Sequence, residues 1–424
     1  MRQRTTRSSS GREPWLPSSA LREGKYSQHS CGGGKVISAQ ELIERITAKA
    51  PFDDCIVIVN DSTQANLRWA NSTLTTNGVI ANRSVTVIAF VAVDGGMAAG
   101  GVTRTDVELH EIDGVIEEAG RAAKAAGKAE DFAPLARDLA KGDWNASHHP
   151  TGPQVFSKIA PDLGDMFARS VKDGIELFGY AEHTHKTVWV GSKGGLRLRH
   201  DQPAGRVEMT GKSHQRSRST WDGVATRDFS NVSIAKIDAN IRKRLEWQSK
   251  KIDLPAGRYD TLFPAGSVSD LITYMLWMSA GRDAFEGRSA FSKPGGGTRV
   301  GERFSNMSAT LFSDPSYRGL ESSDFSVATA SSEFSSVFDN GQGVKRNEWI
   351  SKGNLANLVT TRASSALTSL PYSPMGENLI LEVDGGKGSL DEMITKIDNG
   401  LLITTLWYIR MVDPRTLLLT GLTR

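Results

Sequence analysis

Residues 55–93 limit what this chain can fold into more than any other stretch. Cys55–Asn60 is a short apolar run that reads as a buried strand, and Ser84–Val93 is a second. Strand-like pieces lie between them at Asn66–Trp69 and Ser72–Thr76. They are followed by Asn77-Gly78, a dipeptide whose ease at positive φ suits a two-residue hairpin turn. Apolar runs this short, joined by turn residues, bury themselves by pairing side by side. The reading is a small antiparallel sheet behind one helix. That helix starts at Ser38-Ala-Gln-Glu41, the spacing of a capping box, where serine accepts from the helix N-terminus and glutamate reaches back.

Further along, helices are expected over Glu108–Gly127, over Asp131–Lys141 in the same style, and over Phe156–Lys172, Ile234–Lys251 and Ser389–Ile397. Ser267–Ala280 reads as an amphipathic helix capped by Ser267, with Asp270 three residues on. Strands are expected at Leu177–Gly191, Leu196–His200, Arg206–Thr210, Arg258–Phe263 and Leu401–Val412, and strands and turns dominate 305–361. In Phe338–Arg362, Gly341, Gly343 and Gly353 allow tight turns, and Thr360 and Thr361 favour a strand. Thr416–Leu422 reads as a strand without a neighbour. The fold class is α+β, a small α/β N-terminal domain followed by a β-rich C-terminal domain with a few helices. The expected divisions are a disordered basic leader over 1–35, an N-terminal domain over 36–222, and a C-terminal domain over 223–424 that is short at its end. The polar stretch Gly211–Asp228 is the expected boundary.

Charge and cysteine usage narrow the function. The net charge is +3, but residues 1–35 hold seven Lys/Arg against two Glu, which leaves −2 for the rest. A near-neutral body gives no footprint for nucleic acid. Two cysteines, Cys31 and Cys55, make a disulfide framework untenable and fit a reducing cytoplasm. The longest apolar runs, such as Val85–Val93 and Leu271–Ala280, fall well short of the roughly 18 residues that a membrane span needs. The basic N-terminus lacks the apolar core of a secretory signal.

Motifs exclude more than they assign. Thr210-Gly-Lys-Ser213 has the end of a phosphate loop, but Arg206 stands where its first glycine belongs. Gly295–Gly301 follows a helix, where a dinucleotide fingerprint would follow a strand. There is no nucleophile elbow and no His-Glu-x-x-His. His183 and His185 share one strand face and can ligate zinc if a third group joins them. Without a Cys or carboxylate constellation nearby, the pair reads as an exposed strand edge. Arg197, Arg199, Arg206, Lys212, Arg216 and Arg218 read as a solvated face.

Several blocks resemble the TldD/PmbA (TldD/TldE) family of metallopeptidases. Leu67-Arg68-Trp69-Ala70-Asn71 with Leu74-Thr75-Thr76-Asn77-Gly78 resembles its N-terminal block. Phe338–Arg362 resembles a segment that in the family usually opens Asp-Asp-Glu-Gly; here it opens Asp339, Asn340, Gly341, Gln342, Gly343. Asp384-Gly385-Gly386, Ser389–Met393 and Gly400–Leu402 resemble the C-terminal core. The resemblance spans roughly residues 36–424 and implies peptide-binding or structural roles for Arg68, Trp69, Asn71, Thr75, Asn77, Gly78, Asp339, Asn340 and Gly341. It implies a cytoplasmic zinc peptidase in which one subunit carries His-Glu-x-x-x-His on a helix and the other lacks it. Ser267–Ala280 is the corresponding helix and has no histidine, so the resemblance is to the TldE type. The implied partners are a TldD-like catalytic subunit and a peptide or unfolded-protein substrate, with no membrane or nucleic acid. No cofactor is expected in this chain, and Zn²⁺ is expected in the catalytic partner. The alternative is a stand-alone protein-binding regulator, since the family also carries the label "modulator of DNA gyrase".

Overall fold

The computed structural model describes residues 37–423. The expected leader over 1–35, with Cys31, lies outside them.

Helix α1 (Ala39–Lys49) starts as its sequence demands, with the Ser38 hydroxyl accepting from the Glu41 amide. Strands β1 (Asp54–Ala70) and β2 (Thr73–Val93) then form one long hairpin. Its turn is Asn71-Ser72, both at positive φ, and not Asn77-Gly78. Asn77 and Gly78 lie inside β2, opposite Leu67 and Asn66. The apolar runs decide this register. A turn at 71–72 sets Ile56 and Val57 against Ile88 and Val87. A turn at 77–78 would set 85–93 against 62–70 and leave the buried end of β1 facing the glycine-rich 96–100 instead.

Strand β3 (Gly96–Thr105), which sequence reading left unassigned, extends the hairpin. Helix α2 (Ile112–Ala126) packs on it so closely that a Cβ on Gly100 would stand 2.0 Å from the Ala123 backbone nitrogen. Gly100→Ala is therefore expected to cost about 2–3 kcal/mol by pushing α2 off the sheet. A urea midpoint unchanged from wild type would count against this packing.

Residues 131–141 are not helical. Pro134 forbids the helix hydrogen bond there, and the chain runs extended so that Ala133, Leu135 and Leu139 join the core, ending in β4 (Ala140–Lys141). Next come α3 (Ala160–Lys172), β5 (Glu176–Ser192), β6 (Arg197–Ser213), β7 (Arg218–Thr226) and α4 (Ile234–Trp247). The sheet order is β3-β2-β1-β5-β6-β4, with β7 also on β6. All pairs are antiparallel except β4 with β6. The stretch expected as a domain boundary is the β6–β7 hairpin, and α4 packs Ile237, Ile241 and Leu245 onto this same sheet.

One face of the sheet carries two apolar cores. Cys55, Val57, Val59 and Trp189 lie under α1 and α2, and Ala65, Leu67, Trp69 and Val207 lie under α3 and α4. The other face meets the C-terminal half, where Ile56, Ile58, Ile88 and Phe90 pack on Phe325, Val337 and Phe338.

The C-terminal half holds β8 (Thr261–Leu262), α5 (Ala265–Leu276), α6 (Gly281–Phe285), β9 (Ala309–Ser313), β10 (Asn347–Ser351), β11 (Asn354–Leu355), α7 (Arg362–Thr368), β12 (Ile380–Val383), α8 (Leu390–Ile394), β13 (Leu401–Leu402), β14 (Leu406–Asp413) and β15 (Leu418–Thr423). Strands β11-β10-β9-β12 form a second antiparallel sheet. Thr360 and Thr361 are not in a strand. The Thr361 hydroxyl accepts from the Ser364 amide and caps α7. Ser267 does not cap α5, which begins after Pro264; its hydroxyl donates to the Ile403 carbonyl instead. The run at 416–422 has a neighbour after all, since β15 pairs with β14. The architecture is α+β.

Candidate functional site

The two blocks of sequence-predicted residues lie at opposite ends of the large sheet. Phe338 meets β1 at Ile56 and Ile58, and Arg68 lies ten residues further on, about 33 Å of strand. At the far end, Trp69 is buried with its Nε1–H directed at the Met209 sulfur, and Arg68 lies over the Tyr180 ring. The Thr75 hydroxyl donates to the Arg68 carbonyl, Asn71 forms the turn, and Asn77 and Gly78 are mid-strand.

At the near end, Asp339, Asn340 and Gly341 are buried. Arg362 Nε donates to Asp339 Oδ1 at 2.7 Å, and the Arg362 amide donates to Oδ2 at 3.1 Å. Asn340 uses its whole amide: Oδ1 accepts from the Ala328 N–H, and Nδ2 donates to the Ala328 and Val337 carbonyls. Gly341 takes φ +82° beside Leu196 and Leu198. These are structural roles that join the two halves of the chain.

At the far end, level with Arg68 but two strands away across the sheet, lies a cleft of about 800 Å³. Its floor is the face of β6 and β7 turned away from α3 and α4. Its wall is the first turns of α5 together with Thr404–Trp407. Arg206, Glu208, Lys212, Trp221, Asp270 and Trp407 give it its chemistry. Arg206 is held between Glu182 and Glu208, at 3.6 and 3.3 Å, and lies over the Tyr180 ring. The Tyr180 hydroxyl donates to Glu208 at 2.7 Å. Burial, reinforced by Glu208, pushes this phenol up to about 12, so it remains a donor at neutral pH. Lys212 lies over Phe178. Burial raises the Asp270 carboxyl above its ordinary value. Two basic and two acidic groups balance between indole faces, which suits a polar chain with mixed side chains better than a phosphate or a lipid.

Helix α5 turns Ile272, Met275 and Leu276 into the core and presents Ser267, Ser269 and Asp270 to the cleft. One carboxylate and two hydroxyls do not make a zinc donor set. Among the described residues, no group of three His, Cys, Asp or Glu side chains is placed to share a metal ion.

His183 and His185 lie on the helix-covered face of β5, not at a strand edge. β5 runs between β1 and β6, and His183 is buried. The true edge, β7, is sealed. Gln248 bonds both the N–H and the carbonyl of Ser219, Arg244 takes the Trp221 carbonyl, and Asn231 takes that of Ala225.

Sequence reading missed Trp221, Glu208 and Trp407. Each is an ordinary strand residue locally, and only the tertiary fold brings β6 and β7 to the start of β14. No helix among the described residues is long and apolar enough to cross a membrane.

Comparison with known proteins bears on the fold. Residues 256–423 match a family model described as the PmbA/TldA metallopeptidase C-terminal domain. No curated protein matches in sequence. Among solved structures, TldE from Thermococcus kodakarensis superposes with a TM-score of 0.66 at 17% identity, covering 86% of this chain and 83% of that one. A protein from Thermotoga maritima described as a modulator of DNA gyrase gives 0.66 at 14%, covering 87% and 82%. Another so described, from Bacteroides thetaiotaomicron, gives 0.66 at 12%, covering 91% and 89%.

Proposed function

This chain carries the C-terminal domain of the PmbA/TldD metallopeptidases, and from that premise we propose that it is a TldE-like, non-catalytic subunit of a cytoplasmic two-subunit zinc peptidase. The observation that supports this best is the cleft beside α5. The helix that the resemblance aligns with a zinc-binding helix spends its inward positions on core packing and gives the cleft hydroxyls and a carboxylate. The cleft binds, and hydrolysis belongs to a TldD-like partner that supplies the zinc.

A peptide in extended form lies across the face of β6 and β7. Its side chains rest on Trp221 and Trp407, and its polar groups meet Glu208, Arg206 and Lys212. The edge of β7 takes no part, since α4 and Asn231 already occupy it.

The test is co-purification with a catalytic TldD-like subunit and hydrolysis of short unstructured peptides. Zinc-dependent activity is expected from the pair. The double variant Trp221→Ala/Trp407→Ala should still associate while KM rises about tenfold, equivalent to about 1.4 kcal/mol of lost binding. A partner that never associates and works equally well alone would remove the proposal. The second reading, a stand-alone protein-binding regulator, draws on the description of two structural neighbours as modulators of DNA gyrase. A pull-down that retains a topoisomerase and no peptidase subunit would favour it.

A further inference from the structure

We infer that the loop over 143–153 is a pH-sensitive latch, closed over the large sheet by a neutral His148 and released when His148 and His185 take up protons. The seam beneath the loop lies on the helix-covered face, between the two apolar cores. Asp61 and Thr63 of β1, His183, His185 and Thr187 of β5 and Asp201 of β6 form its floor. The loop crosses it with His148, His149 and Thr151.

The hydrogen bonds fix where every relevant proton sits. Asp201 is an ionised acceptor, clamped by Arg199 at 2.6 and 3.1 Å. The Thr187 hydroxyl therefore spends its one proton on Asp201, at 2.5 Å. His148 Nδ1, 2.8 Å from the same hydroxyl oxygen, must be the donor there. A neutral His148 then accepts at Nε2, from Thr63 at 3.2 Å, while Thr63 accepts from the Thr151 N–H at 2.8 Å. The His183 Nε2–H donates to the Arg227 carbonyl, and its Nδ1 lies 2.7 Å from the Thr151 hydroxyl. For His148, the chain of donors closes only with the ring neutral.

A proton on His148 Nε2 opposes this arrangement. It would face Thr63, whose own proton would lose its acceptor. It would also add a cation beside Arg199 and two further imidazoles. The His148 and His185 rings are 5.5 Å apart, those of His149 and His185 6.5 Å apart, and Arg199 lies alongside. His185 Nδ1 is buried with no hydrogen-bond partner among the described residues. Asp61, paired with Arg83, and Asp201 oppose the effect. Burial outweighs them and lowers both His148 and His185 from the ordinary imidazole value. The closed loop thus keeps its full stability above about 6.5. It loses stability as pH falls from there through the lowered values, because the open loop binds the protons first. Gln40 holds the Trp144 and Ala146 carbonyls and Arg199 holds that of Ser147 at any pH, so the moving part is 148–152.

The experiment is hydrogen exchange of the full chain at pH 7.5 and 5.5, corrected for intrinsic rates, with nitrogen NMR of the histidines. Opening of 148–152 should rise as pH falls, by up to about tenfold per pH unit for each proton taken up. His148→Asn keeps a donor toward Thr187 and cannot titrate, and its opening should depend on pH less steeply than in the wild type, with only His185 left to take up a proton. At pH 7.5 His148 should show the Nδ1–H tautomer. Opening that is equal at the two pH values in the wild type, or equally pH-dependent in the variant, would overturn the latch. An Nε2–H tautomer at His148 would overturn it even if the variant failed to fold.

Discussion

Arg362→Met is expected to destabilise the protein by about 3–5 kcal/mol, one of the two largest effects of a single substitution considered for this chain. The Asp339 side chain is only 6% exposed and owes its charge balance to Arg362. Methionine fills much of the same volume but leaves that carboxylate with the Arg362 backbone N–H alone. Two further bonds go with the guanidinium, to the Phe338 and Pro134 carbonyls, and the second of these ties α7 to the strap over 131–141. The loss should appear as a lower urea midpoint with an unchanged slope. Arg362→Lys should recover less than half of it, since one ammonium cannot reproduce the fork. The pair Asp339→Asn/Arg362→Met should cost less than the two single changes added together, because no charge is then left buried alone. A cost below about 1 kcal/mol for Arg362→Met would mean that the carboxylate finds other solvation.

What the sequence made legible follows from where the deciding interactions lie. The start of α1 was readable because Ser38 and Glu41 settle it within one turn. The capping of α8 by Ser389 was readable for the same reason. The β1–β2 turn was not. Asn77-Gly78 is the stronger local signal, but pairing of 55–59 with 85–89 outweighs any one dipeptide. Thr360 and Thr361 have strand propensity, yet their hydroxyls are spent on Pro371 and on the α7 cap. His183 and His185 looked like an edge because neighbouring strands cannot be counted from a single strand. The amphipathic pattern over Ser267–Ala280 found a helix that the structure sets at Ala265–Leu276, but gave no view of the cleft, which needs Trp221 and Trp407 from distant parts of the chain. Asp339, Asn340 and Gly341 were singled out by resemblance alone, and their geometry is that of a joint between the two halves.

Asn340→Asp tests the most particular residue of that joint. The resembling family segment usually has Asp at this place, so the change looks conservative. Here it should cost about 3–5 kcal/mol at neutral pH. Asn340 is fully buried, and its Nδ2 faces two carbonyls, Ala328 at 2.9 Å and Val337 at 2.9 Å. A carboxylate keeps the bond from the Ala328 N–H but turns an oxygen toward both carbonyls. Two hydrogen bonds become repulsions, and a charge is buried without a cation. The new carboxyl should hold its proton, since the neutral form can still donate to one carbonyl. Its folded pKa then lies above the unfolded value of about 3.9. The sign follows: a group with a raised folded pKa leaves stability intact below about 4 and removes it as pH rises toward the folded value. Denaturation of wild type and variant at pH 4 and pH 7 should show a gap that widens with pH. A gap that stays constant would assign the loss to shape alone, and no gap at all would mean that the amide is not what holds Ala328 and Val337 in place.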